Sequence, residues 1–206
     1  MSRPGSTLSG TTPPAKEDAV TTEEDAVMTM TTASDAHRLA VPAARPALTD
    51  LITAVRQAID TRADWARTAH LVADRLRTHL PGPGILTPGQ RRGQPGRPAG
   101  HLLYAEPDGT FSILGLVWRP GQSTRIHDHI TWCVVGVLQG TEHEELFDES
   151  LNPVGVRDNH PGEVSGFAPP GDIHRIRNTG SETAISLHIY GTDITRVGSS
   201  ARRYYN

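Results

Sequence analysis

Between His101 and Gly191 the chain breaks into short runs of apolar or alternating residues. The runs are punctuated by Gly and Pro before a helical period can establish itself. The runs cover 101–106, 110–120, 124–129, 132–140, 142–149, 163–169, 173–178 and 184–191, with no helical segment among them. So many short strands cannot pack as βαβ units and point to a sandwich or barrel. An antiparallel double-sheet jelly roll is the expected architecture, since it leaves few strand edges open. The fold class expected is mainly β.

The residues before this region have a different period. Leu48, Leu51, Ile52, Val55 and Ile59 recur at helical spacing, and Trp65, Ala69, Val72, Leu76 and Leu80 repeat it. Two amphipathic helices are expected within 46–80, broken near Asp60 and Thr61 and stopped by Pro81, with their apolar stripes packed on the outside of the sheet. Residues 81–100 are crowded with Gly and Pro and form a long loop. Arg91, Arg92 and Arg97 make it basic, which a solvated surface loop explains better than a lid over an anion. Residues 1–44 carry few bulky apolar side chains and are expected to be a disordered tail, within which Met28 and Met30 are alternative starts. The division expected is therefore a tail over 1–44 and one domain over 45–206.

Charge and composition exclude several classes. A formal net charge of −3 gives no electrostatic reason to expect nucleic acid or an anionic membrane as partner. No apolar run approaches the length of a membrane span, and no apolar segment follows basic residues at the N-terminus. Cys133 is the single cysteine, so no intrachain disulfide can form, which fits a reducing cytoplasm. A monomer is expected.

The histidines carry the chemistry. His127 and His129 are two apart, so on a strand their imidazoles share one face, as metal ligands converging on one ion must. His174, after a Pro-Pro-Gly turn, could supply a third imidazole from a distant strand; alone it reads as a half-exposed strand histidine. Ser186, His188 and Tyr190 alternate along another run, which puts a hydroxyl, an imidazole and a phenol in line on one face, a plausible hydrogen-bond relay.

Two of these stretches resemble the metal motifs of the cupins, which are double-stranded β-helix (jelly-roll) proteins. One runs from Gly121 through His127 and His129; the other runs Pro169, Gly171, His174, Asn178. Where many cupins place a metal-binding Glu, four residues after the second His, this chain has Cys133, and Gly140 closes the motif. That replacement, the texture of HDHITWCVVGVLQG and the Ser186-His188-Tyr190 trio resemble the cysteine dioxygenase (thiol dioxygenase) family, with the bacterial 3-mercaptopropionate dioxygenase-like members nearest in texture.

The resemblance implies Fe(II) held by His127, His129 and His174, with Tyr190, His188 and Ser186 beside it, and a small thiol and O₂ as substrates giving a sulfinate. Some members join these positions, here Cys133 and Tyr190, by a thioether, while many bacterial members have Gly at the cysteine's place; the resemblance leaves both a cross-link and a plain buried small residue open at Cys133. In cysteine dioxygenases an arginine on the strand before the metal motifs binds the substrate carboxylate. Here Gly100 or His101 falls at that place, and neither can clamp a carboxylate. In mercaptopropionate enzymes a C-terminal arginine does this work, and Arg202 and Arg203, or less closely Arg196, lie in a comparable region. The alternatives are an iron cupin acting on a small molecule other than a thiol, and a non-catalytic cupin that binds a ligand.

Overall fold

The computed structural model of the protein describes residues 29–31 and 45–205. The expected tail therefore lies outside the described residues, except that Thr29–Thr31 (β1) pairs in parallel with Ala99–His101.

Both expected helices form. Arg45–Ile59 (α1) and Trp65–Thr78 (α2) are separated where Asp60 and Thr61 leave the helical path. Asp64 caps α2, its carboxylate accepting from the Arg67 backbone N–H at 2.8 Å, which satisfies one of the donors a helix start leaves open. The buried stripe of α2 is Ala69, Val72, Ala73 and Leu76, close to the sequence expectation. The 81–100 loop is tighter than its composition suggests, with two short 3₁₀ turns at Pro83–Ile85 and Gln90–Arg92.

The rest is β. In chain order the strands are Ala99–Ala105 (β2), Ser112–Trp118 (β3), Ile126–His129 (β4), Cys133–Gln139 (β5), Glu142–Phe147 (β6), Pro153–Asn159 (β7), Val164–Phe167 (β8), His174–Arg177 (β9), Ala184–Tyr190 (β10) and Ala201–Tyr205 (β11), with a single helical turn at Ile194–Val197 (α3) before the last. They form two sheets. One has the order β1-β2-β3-β10-β5-β8, and the other β11-β4-β9-β6-β7. Apart from β1, all pairings are antiparallel among the described residues. This is a double-stranded β-helix, or jelly roll.

The two sheets are covered differently, and that difference positions the site. The first sheet is buried on both faces. Its outer face carries Ile113, Val117, Val134, Ile185, Leu187 and Ile189 against the helix stripes, in one apolar cluster with Leu51, Val55, Val72 and Leu76. Strands β3 and β10 are therefore buried at every residue, which is why their sequences read as continuous apolar runs. Gly136 on β5 allows the close approach: a β-carbon there would lie 2.6 Å from Leu80 Cδ1 and 3.0 Å from Leu76 Cδ2. The inner face carries Leu102, Leu114, Leu116, Trp118, Cys133, Val135 and Tyr190 towards the barrel interior. Besides β1, two strands are absent from the sequence expectation. Strand β7 is a largely exposed edge strand, with Val154 and Val156 in the open. Strand β11 turns the basic C-terminal segment into a partner for β4.

Candidate metal centre

Strand β4 places His127 and His129 on one face, as the spacing requires. Strand β9 pairs with it so that His174 stands directly opposite His127. The three imidazoles are buried, and their ligand atoms all lie within 4.8 Å of one another. The distant third histidine is thus brought in by a single antiparallel pairing.

Each ring is oriented by an acceptor on its Nδ1. His127 Nδ1 is 3.0 Å from the Arg125 carbonyl, His129 Nδ1 is 3.0 Å from Asp172 Oδ2, and His174 Nδ1 is 2.7 Å from Glu144 Oε1. With the Nδ1 proton donated in each case, the Nε2 lone pair is left to face the common centre. Asp172 also accepts the backbone N–H of His129 at 3.0 Å, and Glu144 is itself held by Arg157 Nε at 2.6 Å. Burial drives the His127 imidazole far below its ordinary pKa, with the like charges of His174 and His129 adding to the effect. Burial lowers His129 too, against the pull of Asp172. Neutral imidazole is the ligating form, so the environment prepares the site for a metal. Burial alone would raise the Glu144 carboxyl, but its bonds to His174 and Arg157 bring it down to about 2. It is therefore an anion that serves as acceptor, not ligand.

The donor set fits a transition metal of intermediate softness: three imidazole nitrogens, with no thiolate or carboxylate among them. Glu144→Gln removes the negative acceptor behind His174 while keeping the shape. Its expected effect is roughly a 10–100-fold loss in metal affinity, read by competition with a chelator.

The Ser-His-Tyr row stands across the pocket on β10. Ser186 Oγ is 2.9 Å from His188 Nε2, and Tyr190 Oη is 3.2 Å from His188 Nδ1. Trp118 donates its indole N–H to Ser186 Oγ at 3.2 Å. The Tyr190 and His129 rings stack with centroids 6.4 Å apart. Burial raises the Tyr190 phenol well above 10, and the facing Cys133 adds to this. Cys133 is fully buried and directly opposite Tyr190 in the β5–β10 ladder, on the same face. Phe167 packs against both His129 and His174, with centroids at 5.0 and 5.1 Å.

The expected carboxylate-binding arginines are placed elsewhere. Arg203 is turned onto Asp128, its Nε 2.9 Å from Oδ2. Arg202 lines a different surface hollow, with Trp65, Ile130 and Pro170, that reaches His129 from outside the pocket. Arg196 pairs with Asp193 at 3.0 Å. The pocket over the three histidines is lined instead by Arg97 and Arg125, together with Tyr204. The physical reason is the alternation of β11: Tyr204 pairs with His127, while Arg203 pairs with Asp128 on the opposite face of β4. Arg125 Cζ lies 5.1 Å from the Tyr204 ring centroid, a cation–π contact that holds the guanidinium at the pocket.

Several of these residues escaped the sequence reading. Arg125 lies two before His127, in the same alternation that identified His129. Glu142 and Glu144 alternate just as the two histidines do, and a pair of carboxylates on one strand face was an available signal. Asp172, two before His174, carried the same signal. Arg97 had been noted only as one of three basic residues of the 81–100 loop, and Tyr204 had no signal, because loop and strand bring them in from far along the chain.

Comparison with known proteins agrees with the geometry. Residues 101–202 match the family described as Cysteine dioxygenase type I. The cysteine dioxygenase type 1 of Danio rerio is 31% identical over 97 residues, covering 43% of this chain and 48% of that protein. The Homo sapiens protein of the same name is 31% identical over 96 residues, with the same coverage. The chain thus matches about half the length of these curated relatives. A solved Klebsiella pneumoniae protein with a double-stranded β-helix domain has a TM-score of 0.43 and 18% identity, covering 53% of this chain and 90% of that one.

Proposed function

Because residues 101–202 belong to the cysteine dioxygenase type I family, we propose that this chain is a thiol dioxygenase, joining both atoms of O₂ to the sulfur of a small thiol: R–SH + O₂ → R–SO₂H. The observation that carries the reading is the meeting, in one buried pocket, of three imidazoles with the Ser186-His188-Tyr190 row. Bound at His127, His129 and His174, Fe(II) would supply the Lewis-acidic and redox centre at which thiolate and dioxygen meet.

The chain's own residues do the rest. Three uncharged ligands leave the metal's charge for the substrate to neutralise, which favours an incoming thiolate. Phe167 and the apolar strand residues keep water from the reacting sulfur. Tyr190 presents a phenol at the pocket wall, fixed by His188 and Ser186 behind it. Arg125, braced on Tyr204, and Arg97 offer cationic groups at the same pocket. A thiol carrying a carboxylate, such as cysteine or 3-mercaptopropionate, matches that charge. Arg125→Ala is expected to raise KM for such a thiol by about 10–100-fold with a smaller effect on a thiol lacking the carboxylate, a contrast worth about 1.5–3 kcal/mol for a charged hydrogen bond.

The deciding measurement is oxygen uptake by the Fe(II)-loaded protein over a panel of small thiols, with the sulfinate identified by mass spectrometry. Uptake independent of every thiol would refute the reading and favour a non-thiol substrate; no uptake at all would favour a binder without catalysis. The facing of Cys133 and Tyr190 supports a thioether between them: Sγ–H and a ring C–H are lost, an S–C bond forms, and dioxygen takes the two electrons. The expected sign is an intact mass lower by two hydrogens after turnover, absent in Cys133→Ala.

A further inference from the structure

Glu142, at the start of β6, is 1% exposed, and neither of its carboxyl oxygens makes a hydrogen bond of ordinary geometry. A buried carboxyl without a partner is costly, so its place in the fold calls for a reason. Its polar neighbours are the Ser186 hydroxyl and the Trp118 indole N–H. Those two groups form the inner end of the Ser186-His188-Tyr190 row. We propose that Glu142 is the inner terminus of that row, and that its protonation state sets the direction of the row's hydrogen bonds and hence whether the Tyr190 hydroxyl donates inward or into the metal pocket.

The argument is a count of donors and acceptors. Trp118 can only donate, so one lone pair of Ser186 Oγ is taken. His188, driven by burial to about 3, is neutral and carries one ring proton. Consider Glu142 ionised. A small rotation of its carboxylate lets it accept the Ser186 O–H. Ser186 Oγ then accepts His188 Nε2–H, and the bare Nδ1 accepts the Tyr190 O–H. The phenol's proton points inward.

Now add one proton to Glu142. Its O–H donates to Ser186 Oγ, so the Ser186 proton turns to His188 Nε2. The ring proton moves to Nδ1 and is donated to the Tyr190 oxygen. The Tyr190 O–H is released towards Ser200 and the pocket, where both residues lie. One proton added at Glu142 thus becomes one hydrogen-bond donor at the metal site, with no net charge placed on His188 or Tyr190.

The groups facing Glu142 allow such a change near neutral pH. Burial pushes its carboxyl up to about 7, with Ser186 opposing and the charge of Glu144, two residues along, adding to the rise. The cation on this strand face, Arg157, is engaged by Glu144. Cys133 and Tyr190 feel the charge of Glu142, and both are held in their neutral forms by burial.

The consequence for catalysis rests on the thiol dioxygenase reading; the direction of the hydrogen bonds does not. The test is therefore the tautomer of His188, read by ¹⁵N-histidine NMR on the full-length protein loaded with diamagnetic Zn(II), between about pH 5 and about pH 9. The wild-type ring is expected to pass from Nδ1–H at low pH to Nε2–H at high pH. In Glu142→Leu the Ser186 O–H has only His188 to accept it, so the ring should remain Nδ1–H throughout. Glu142→Gln, which keeps the volume and loses the ionisation, should also abolish the pH dependence. A wild-type ring with one tautomer at both extremes, or a Glu142→Leu ring that switches as the wild type does, overturns the proposal. In Fe(II)-loaded protein, the matching inflection in the pH profile of thiol-dependent oxygen uptake should vanish in Glu142→Gln. A tautomer switch without any thiol-dependent uptake would overturn the dioxygenase reading and leave the role of Glu142 standing.

Discussion

His174→Ala abolishes metal retention: iron per chain after loading and desalting falls to near zero, and thiol-dependent oxygen uptake falls with it. The variant removes one of three nitrogens, and it also leaves Glu144 buried with only Arg157 and Asn159 as partners. Loss of an outer-sphere partner already costs 10–100-fold in affinity, so losing a ligand should exceed the top of that range, on the order of 10²-fold or more. His174 lies at the start of the short strand β9 and pairs across to His127. The fold should survive, because the main apolar cluster is built from the helices and the other sheet. The comparison is made by metal analysis beside circular dichroism. Unchanged iron content in a folded variant would show that His174 is not a ligand.

Glu142→Leu stabilises the protein, increasingly so as pH rises. The folded-state carboxyl is raised from 4.5 to about 7, chiefly by burial. The native state therefore holds the proton more tightly than the unfolded chain does. Between these two values the unfolded state is the one that loses its proton, and native stability falls as pH increases. Below about pH 4.5 Glu142 causes no such loss, and above about pH 7 the loss is complete. The interval corresponds to about 3 kcal/mol at full development. Leucine has a similar volume and no charge to desolvate, so the variant escapes this loss. The measurement is the difference in urea midpoint between variant and wild type, both metal-free, at a series of pH values. A difference that stays constant from about pH 4 to about pH 8 would show that Glu142 does not titrate with a raised pKa. This stability gain and the frozen His188 tautomer have one origin, a residue kept in the core against its desolvation cost.

How much was legible beforehand differs between residues for physical reasons. Period-two alternation on β4 and β10 announced His127 with His129, and Ser186 with His188 and Tyr190, because a strand fixes side-chain direction locally. The helical stripe of α2 was readable for the same kind of reason. The exposed edge strand β7 was not, since Pro153 and Gly155 break up its run and its two valines, Val154 and Val156, face outward instead of into a core. Arg202 and Arg203 show the limit of linear spacing. Distance from the Ser-His-Tyr strand suggested them, but alternation along β11 gave the pocket-facing position to Tyr204 and turned Arg203 onto Asp128.

The sequence by itself therefore determined what is local: a mainly β chain with two leading amphipathic helices, the paired histidines, and the hydroxyl-imidazole-phenol row. Their information lies in periods of two and of 3.6, set by the backbone within a few residues. Tertiary structure decided what requires separate strands to meet. The β4–β9 pairing completed the three-histidine centre, and the β5–β10 ladder set Cys133 against Tyr190. The β3–β10 pairing set Trp118 beside Ser186, while the closing of the two sheets brought Glu142 to it and the 81–100 loop brought Arg97 to the pocket. Strand pairing and barrel closure depend on contacts between residues tens of positions apart, and no local period encodes them.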